Sequence, residues 1–376
     1  MKNLLAGLLG ALMFAYASVK AVPAATLPVH KISDHFYVIE AREDDGSNVG
    51  VLVSGTGVLL IDTMLPDAKD MLLATLATIT DKPVTHVIST HGDGDHTGAN
   101  THFQNLGAEI ILQANVAYSN VLYTRTYEDT LTLTFGGQTV MLYGFKSHSF
   151  EDTLIHLPQD NVIFTGDAYN EGWHPSFYSG GYEGQSAVYD KTEALADPKT
   201  LIVPGHGKLS RIEDVIHQRT LLDDWINHIK ALKDAGQSYE AMAEDPQTIA
   251  FWNDFTRSAD NPRGREMFVR RTLATELMDM VSLSHDQLSA LEGRYLYTDG
   301  VRVEIALEDG KLFARNKGDF FSELQPLSPS IFHLRGWVGG QRFIFDTGKD
   351  GKTMGLTFVG TSNNYKARRL KNDSPH

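Results

Sequence analysis

The segment from Ser89 to Gly98 (STHGDGDHTG) constrains the fold and the function of this chain more than any other. It directly follows a strand-like apolar run and carries four side chains that can bind metal, namely His91, Asp93, Asp95 and His96. The glycines between them let the backbone turn tightly, so that several side chains can converge. His91 and Asp93 are two residues apart and can share one side of an extended turn, whereas Asp95 and His96 must point differently. One turn can therefore supply ligands to two neighbouring ions.

Three further histidine or aspartate residues also follow apolar, strand-like runs. Asp167 ends the run NVIFTGD, His206 lies in LIVPGHG, and His148 follows the run from Thr139 to Phe145. Ligand sites in open α/β sheets collect at such strand ends. Taken singly, Asp167 fits a helix cap and each histidine fits a hydrogen-bonded loop residue. Together with the cluster, they complete a set of metal ligands.

A calcium loop is an alternative interpretation of the cluster. Asp93-x-Asp95-x-Thr97-Gly98 resembles the start of such a loop, but Gln104 stands where a bidentate glutamate is expected. The flanking histidines also disfavour calcium, which prefers oxygen ligands.

These segments resemble the metallo-β-lactamase superfamily. THGDGDH is similar to its H-x-[H/E/D]-x-D-H motif, SHSFEDTLIHLPQDNVIFTGD to its third-histidine strand and bridging aspartate, and VPGHG to its last histidine turn. The opening hairpin with LLIDT also fits, so that the resemblance covers about residues 27–280.

The resemblance implies a site for two divalent metal ions, with zinc expected. The first ion would be held by His91, Asp93 and His148, and the second by Asp95, His96 and His206, with Asp167 bridging both. A hydroxide between ions about 3.5–4 Å apart would attack an ester, lactone or related bond of a small molecule. Asp95 would also orient this nucleophile and carry its proton to the leaving group.

Three residues depart from the patterns of better-known members. Asp93 stands where most members have histidine, so iron or manganese is an alternative metal at that site. For the same reason, a redox-active diiron protein is an alternative function. The chain shows no flavodoxin-like domain that such an oxidoreductase would carry. Asp167 and Thr97 stand where two groups of true β-lactamases have other ligands, which favours the glyoxalase II and lactonase-like branches. A β-lactamase and a non-catalytic binding protein remain alternative hypotheses.

The pattern of short strands and helices predicts an α/β fold, an αββα sandwich over residues 27–283. The first predicted strand is Phe36–Glu40. Long helices are predicted at Ser210–Ala235 and Arg265–Val281. Short alternating runs over residues 286–373 predict a small antiparallel β domain that resembles lipocalin-like domains. We expect that domain to shape the pocket, form a homo-oligomer or bind a partner.

Residues 1–25 have the pattern of a signal peptide, with Lys2 before an apolar run that ends at Ala15-Tyr16-Ala17. The run is shorter than the roughly 20 residues that a membrane span needs. We therefore expect export to the periplasm or the medium without a stable anchor after cleavage. The net charge of −14 disfavours nucleic-acid binding, and the absence of cysteine excludes thiolate ligands and disulfides.

The segment from Ala168 to Tyr182 (AYNEGWHPSFYSGGY) follows the predicted bridging aspartate and is rich in aromatic residues and glycine. We expect it to form part of the pocket rim. The residues predicted to contact the substrate are Tyr169, Trp173, His174 and Tyr178.

Overall fold

The computed structural model describes residues 25–42, 44–257, 261–316, 318, 320–348 and 351–370. The predicted signal peptide, apart from its last residue, lies outside the described residues. Within those ranges, none of the helices combines the length and the apolar character that crossing a bilayer requires.

The first sheet has seven strands, which neighbour one another in chain order. Its strands are β1 (Val29–Lys31), β2 (Phe36–Ile39), β3 (Val49–Val53), β4 (Val58–Ile61), β5 (Val84–Ile88), β6 (Glu109–Gln113) and β7 (Arg125–Tyr127). The strands β1 to β4 pair antiparallel, and β4 to β7 pair parallel. The carboxyl ends of the parallel strands therefore share one edge, from which the segment after β5 emerges.

The second sheet has the order β12-β11-β10-β9-β8. Its strands are β8 (Thr130–Phe135), β9 (Gln138–Phe145), β10 (Asp152–Leu157), β11 (Val162–Gly166) and β12 (Leu201–Pro204). The sequence pattern predicts one run from Leu131 to Phe145, but the structure forms a hairpin there. Gly136 and Gly137 make its turn with φ values of 58° and 84°, a left-handed conformation that glycine adopts without strain.

Helices flank the two sheets, and the last short helix packs Leu288 into the core of the C-terminal part. They are α1 (Lys69–Ile79), α2 (Gly94–Thr97), α3 (Asn100–Asn105), α4 (Gly181–Leu195), α5 (Ile212–Asp234), α6 (Tyr239–Ala243), α7 (Pro246–Thr256), α8 (Pro262–Glu276) and α9 (His285–Ser289), with 3₁₀ turns at Pro66–Ala68 and Ala114–Tyr118. The predicted helix Arg265–Val281 begins earlier, because Asn261 caps it and Pro262 takes the first position, and it ends at Glu276.

Three apolar clusters give the order of the layers. One lies between the two sheets and includes Phe36 and Phe164. A second lies between the first sheet and α1, and a third lies between the second sheet and α4, α5, α7 and α8. This arrangement confirms the αββα sandwich that the sequence predicts.

The C-terminal part forms a closed antiparallel barrel with its own apolar core. Its strands are β13 (Gly293–Tyr297), β14 (Arg302–Glu308), β15 (Lys311–Asn316), β16 (Phe320–Pro326), β17 (Ile331–Leu334), β18 (Arg342–Thr347), β19 (Thr353–Val359) and β20 (Asn364–Arg369). The predicted small β domain is thus confirmed as a barrel of eight strands, consistent with the lipocalin-like resemblance.

The barrel packs against the sandwich beside the loop that follows β9. Phe321 of β16 contacts Phe150, with ring centroids 4.3 Å apart, and Lys146 lies 5.0 Å from the ring centroid of Phe313. The backbone N–H of Gly318 donates to the carbonyl of Ala117. These contacts place the barrel next to loops that carry parts of the site described below.

Candidate metal centre

The segment after β5 turns sharply and brings its four polar side chains to the edge of the first sheet. Asp93 is the N-terminal flanking residue of α2, so Asp95 and His96 fall in the first turn of this short helix. His91 and His96 are fully buried, whereas the side chain of Asp93 is more than half exposed. The turn therefore holds two histidines in fixed positions beneath solvent-facing carboxylates.

The remaining predicted ligands come from the second sheet. His148 follows β9, Asp167 follows β11, and His206 lies two residues after β12. Gly205 precedes His206, and a Cβ atom there would collide with Oδ1 of Asp167. The close approach of these two turns therefore requires glycine.

Asp93 joins the first group of ligands. Its Oδ2 lies 3.5 Å from Nε2 of His91 and 3.3 Å from Nε2 of His148. The three ligand atoms lie within 4.8 Å of one another, a spacing that can hold one metal ion.

Asp95, His96 and His206 form the second group, with the same spacing. Nε2 of His206 lies 3.2 Å from Oδ2 of Asp95. The structure thus brings together the two groups that the sequence predicts; that they bind metal stays a prediction.

Asp167 lies between the two groups. Its Oδ1 is 3.2 Å from Nε2 of His96 and 3.4 Å from Nε2 of His206. Its Oδ2 is 3.8 Å from Nε2 of His148. One carboxylate thus faces both groups, the placement that a bridging ligand needs.

The buried polar atoms of the centre are consistent with a metal. Among the described residues, Nε2 of His91, Nε2 of His96 and Oδ1 of Asp167 are buried without a hydrogen-bond partner. Burying a polar atom unpaired costs free energy, so such atoms are rare unless something binds them. Nitrogen and carboxylate oxygen donors at this spacing fit divalent ions of the zinc class.

Asp62, which directly follows β4, orients His96 through the Nδ1 side of its ring. Its Oδ2 lies 2.9 Å from Nδ1 of His96, and it accepts hydrogen bonds from the backbone N–H and hydroxyl of Thr90. A protonated Nδ1 that donates to Asp62 leaves Nε2 free to face the centre. The sequence contains this residue in LLIDT, but its contact with His96 arises only in the fold.

The loop that carries His148 is held by Asp152. This carboxylate accepts hydrogen bonds from the backbone N–H groups of Ser147 and Ser149 and from the hydroxyl of Ser149. Nδ1 of His148 lies 3.2 Å from the carbonyl oxygen of Ser176, which directs Nε2 towards Asp93. No sequence pattern marks Asp152 as a supporting residue, because it lies at the start of the strand β10.

Charge in the centre is shared between histidines and carboxylates. The hydrogen bond from His148 and the neighbouring imidazole of His91 hold the pKa of Asp93 well below its usual range. Burial favours the neutral form of His148, but Asp93 and Asp167 outweigh burial and raise its pKa to about 9. Burial likewise opposes ionisation of Asp167, yet His96 and His148 lower its pKa. Positive charge is therefore stabilised at this position, as a cation site requires.

The four residues predicted to contact substrate lie in different environments. The Trp173 side chain is 42% exposed, and its ring stacks on His206 with centroids 5.0 Å apart. Tyr169 is buried and donates to Ser210. His174 stacks on Phe268, and Tyr178 lies under Arg271. All four roles stay predictions, and this placement favours Trp173.

Residues 42–111 match the family model described as Metallo-beta-lactamase superfamily. The chain contains a metallo-beta-lactamase superfamily domain. The matched part includes β3 to β5, the start of β6 and the turn with His91 and His96. This match and the relatives described next support a metal-dependent hydrolase.

Relatives of the metallo-beta-lactamase domain occur in distant organisms. Metallo-beta-lactamase domain-containing protein 1 of Xenopus laevis is 26% identical over 172 residues, covering 43% of this chain and 71% of the relative. Metallo-beta-lactamase type 2 of Bacteroides fragilis is 23% identical over 216 residues, covering 53% and 87%. Among solved structures, a metallo-beta-lactamase from Pontibacter korlensis is 20% identical with a TM-score of 0.45, covering 52% of this chain and 99% of that one.

Proposed function

We propose that this protein is an exported, dinuclear metal-dependent hydrolase that cleaves an ester, lactone or related bond of a small molecule. The observation that carries the proposal is Asp167, whose two carboxylate oxygens face the two groups of ligands. His91 and His96 add buried Nε2 atoms without hydrogen-bond partners among the described residues. A single ion would leave one of the two groups unused.

Two divalent ions, when bound, would polarise the scissile bond and ionise a water molecule at neutral pH. The side chains hold and move the proton. Asp95 is the carboxylate of the second group, and a third of its side chain is exposed. Burial raises its pKa, but His206 and His96 outweigh burial and lower it. Asp95 is therefore ionised at neutral pH and can accept a proton and pass it to a leaving group.

A groove of about 270 Å³ lies beside the second group and is consistent with a small substrate. Arg42, Gly46, Trp173 and His206 line it. The indole of Trp173 lies nearly parallel to the His206 ring, at 11°, and presents an apolar face to this groove. We infer that this face positions the apolar part of the substrate.

The proposed identity of the metal and the proposed export both rest on the sequence. Histidine and carboxylate ligands suit zinc, and Asp93 makes the first site harder, so that iron or manganese is the alternative there. The signal-peptide pattern at residues 1–25 supports export.

The first test is the metal content of the purified mature protein, together with the hydrolysis of six substrates. These are an aryl ester, a lactone, a thioester, a phosphodiester, a sulfate ester and a chromogenic β-lactam. We expect about two zinc-class ions per chain and chelator-sensitive hydrolysis of an ester, thioester or lactone. Turnover of only the β-lactam would favour the β-lactamase alternative, consistent with the Bacteroides fragilis relative.

Asp167→Asn tests the bridging role against His217→Asn, a change at an exposed helical residue whose ion-pair partner among the described residues is Asp254. The first variant should hold less metal and lose at least about 100-fold in kcat/KM, because the bridging charge is lost. The control should match the parent. Full metal content and activity in Asp167→Asn would contradict the dinuclear proposal.

Trp173→Ala tests the substrate surface. Because Trp173 provides contact area and no metal ligand, KM should rise about five- to tenfold while metal content stays unchanged. An unchanged KM for every hydrolysed substrate would show that Trp173 does not position it.

A further inference from the structure

The C-terminal barrel contains a cavity of about 310 Å³ that shares no residue with the metal centre. Its lining residues lie at one end of the barrel, where β13 ends, β14 begins and β17 ends. Buried Val303 and Leu334 line its inner part. A cavity of this volume falls in the range of small-molecule sites, roughly 300–1,000 Å³.

Aromatic rings form a large part of the cavity lining. Five aromatic side chains surround it: Tyr297, Trp337, Phe343, Phe358 and Tyr365. The rings of Phe358 and Tyr365 are stacked, and those of Phe343 and Phe358 are tilted against each other. Such surfaces prefer an aromatic guest, because rings gain from stacked and edge-to-face contacts beyond the burial of area.

Apolar side chains at the cavity mouth are exposed to water. Trp337 is 41% exposed, and Val301 and Tyr365 are each 42% exposed. Isolated exposed apolar residues are ordinary, but three around one opening form a patch that a ligand would cover. The barrel is closed, so this end offers no free sheet edge for a strand of another chain.

Arg302 adds a charge at the cavity. It is exposed and, among the described residues, forms no ion pair. Asp299 also lines the cavity, but its Oδ1 accepts the backbone N–H of Val301 and thereby holds the β13–β14 turn. Of these two charged side chains, the guanidinium is the one without a partner among the described residues, and it suits a carboxylate.

We propose that the barrel mouth binds a small aromatic molecule with one anionic substituent, whose ring enters the cavity and whose anionic group meets Arg302. This site is separate from the metal centre and does not depend on the proposed hydrolysis. A carboxylate on an aromatic or bicyclic ring has the required shape and charge.

The test is titration of the full mature protein with 2-naphthoate and with its neutral amide, 2-naphthamide, by calorimetry. We expect one naphthoate site per chain with a Kd on the order of 10 μM. Trp337→Ala and Tyr365→Ala should each weaken binding about tenfold. Met354→Ala, at an exposed residue of the same barrel, is the matched control and should bind like the parent.

Arg302→Gln separates charge from shape. It should weaken naphthoate binding at least about fivefold and leave naphthamide binding unchanged. Equal binding of both compounds to the parent would overturn the anionic part of the proposal. Circular dichroism of each variant verifies that the barrel is folded.

Two other results would overturn the proposal as a whole. One is the absence of saturable binding up to about 1 mM naphthoate. The other is a dimer, measured by analytical sedimentation, that Trp337→Ala dissociates. The exposed aromatic side chains would then form the interface with a second copy of the chain. The titration is repeated with Asp167→Asn, so that binding without hydrolysis separates this inference from the proposed function.

Discussion

At the scale of single residues, Asp62 shows how a side chain outside the centre controls it. Its φ of 61° is left-handed, a conformation that aspartate and asparagine tolerate better than most residues. Its carboxylate bonds both Thr90 and His96. The backbone at this position and the orientation of His96 are therefore determined together.

Asp62→Asn keeps the shape and the backbone conformation but removes the charge. We expect metal affinity to fall about tenfold or more, because the amide no longer selects the orientation of His96. Competition with a chromophoric chelator measures the affinity. Asp34→Asn, at an exposed residue paired with Lys31, is the control. Equal affinities in the two variants would contradict a positioning role for Asp62.

The buried side chain of His174 contributes to the pH dependence of the free energy of unfolding. Burial, with a smaller contribution from Arg271, lowers the pKa of His174 to about 4. An unfolded histidine titrates near 6.5, so between pH 6.5 and 4 the unfolded chain binds a proton that the folded chain does not. Stability therefore falls as the pH falls through this window.

His174→Phe removes this titration while keeping a ring against Phe268. Between pH 7 and pH 5 the free energy of unfolding should fall by about 2 kcal/mol less in the variant than in the parent. Urea denaturation at both pH values measures the difference, with His217→Gln as control. A parent-like pH dependence in His174→Phe would show that His174 is not the group responsible.

At the scale of elements, the loop that carries His148 depends on the start of α4. Gly180 and Gly184 lie so close to Lys146 that a Cβ atom on either would collide with its carbonyl oxygen. The N–H of Gly180 also donates to the carbonyl of Ser147. These contacts fix the backbone immediately before His148.

Gly184→Ala tests this packing. Alanine favours a helix over glycine by up to about 1 kcal/mol, so propensity alone predicts stabilisation. We expect the opposite, a loss of about 2 kcal/mol in unfolding free energy together with weaker metal binding, because the loop must move. Gly55→Ala, where a Cβ atom meets nothing within 4 Å, is the control. A stabilised Gly184→Ala variant would contradict the packing argument.

The same helix shows the limit of sequence patterns for elements. The strands β3 (VGVLV) and β4 (VLLI) are continuous apolar runs bounded by turn residues, and the sequence pattern predicts them closely. Gly181–Leu195 contains glycines and little apolar periodicity, and the sequence pattern extends a loop to Tyr182 instead. It is helical because Val188 and Tyr189 are buried against the second sheet and α5. Tertiary packing therefore overrides the low propensity.

At the scale of the whole molecule, Arg335 connects the barrel to the sandwich. Its guanidinium donates to the carbonyl of Gly180 at 3.1 Å and lies 3.6 Å from Glu276 and 3.5 Å from Glu323. All three side chains are largely buried, and burial raises the pKa of Glu276. Arg335 thus faces two carboxylates at the boundary between the two parts, and Lys311 lies farther away, 3.9 Å from Glu323.

Arg335→Met should lower the free energy of unfolding by about 3 kcal/mol, because it leaves two buried carboxylates without their main cation. Adding Glu323→Gln should recover at least about 1 kcal/mol. Urea denaturation measures both, with Arg368→Met, at an exposed barrel residue, as control. If the second change brings no recovery, Arg335 acts through packing alone.

Sequence patterns predict the sandwich and the β character of the C-terminal part, because strands and turns depend on neighbouring residues. The seven candidate ligands come from the resemblance to the superfamily motifs, and the fold brings these seven residues together. Sequence patterns do not indicate the strands β16 and β20. The strand β16 ends in proline, and β20 (NYKARR) is mostly exposed and carries three basic residues. Barrel closure alone pairs them.

The packing of the elements determines which residues support the centre and which face it. Asp62 contacts His96 from a distant position, and Asp152 holds the backbone of the loop that carries His148. Of the predicted aromatic set, Trp173 is the exposed residue beside His206. The barrel cavity likewise gathers its residues from strands far apart in the chain. Such contacts depend on how separate elements pack together, which no local pattern of residues contains.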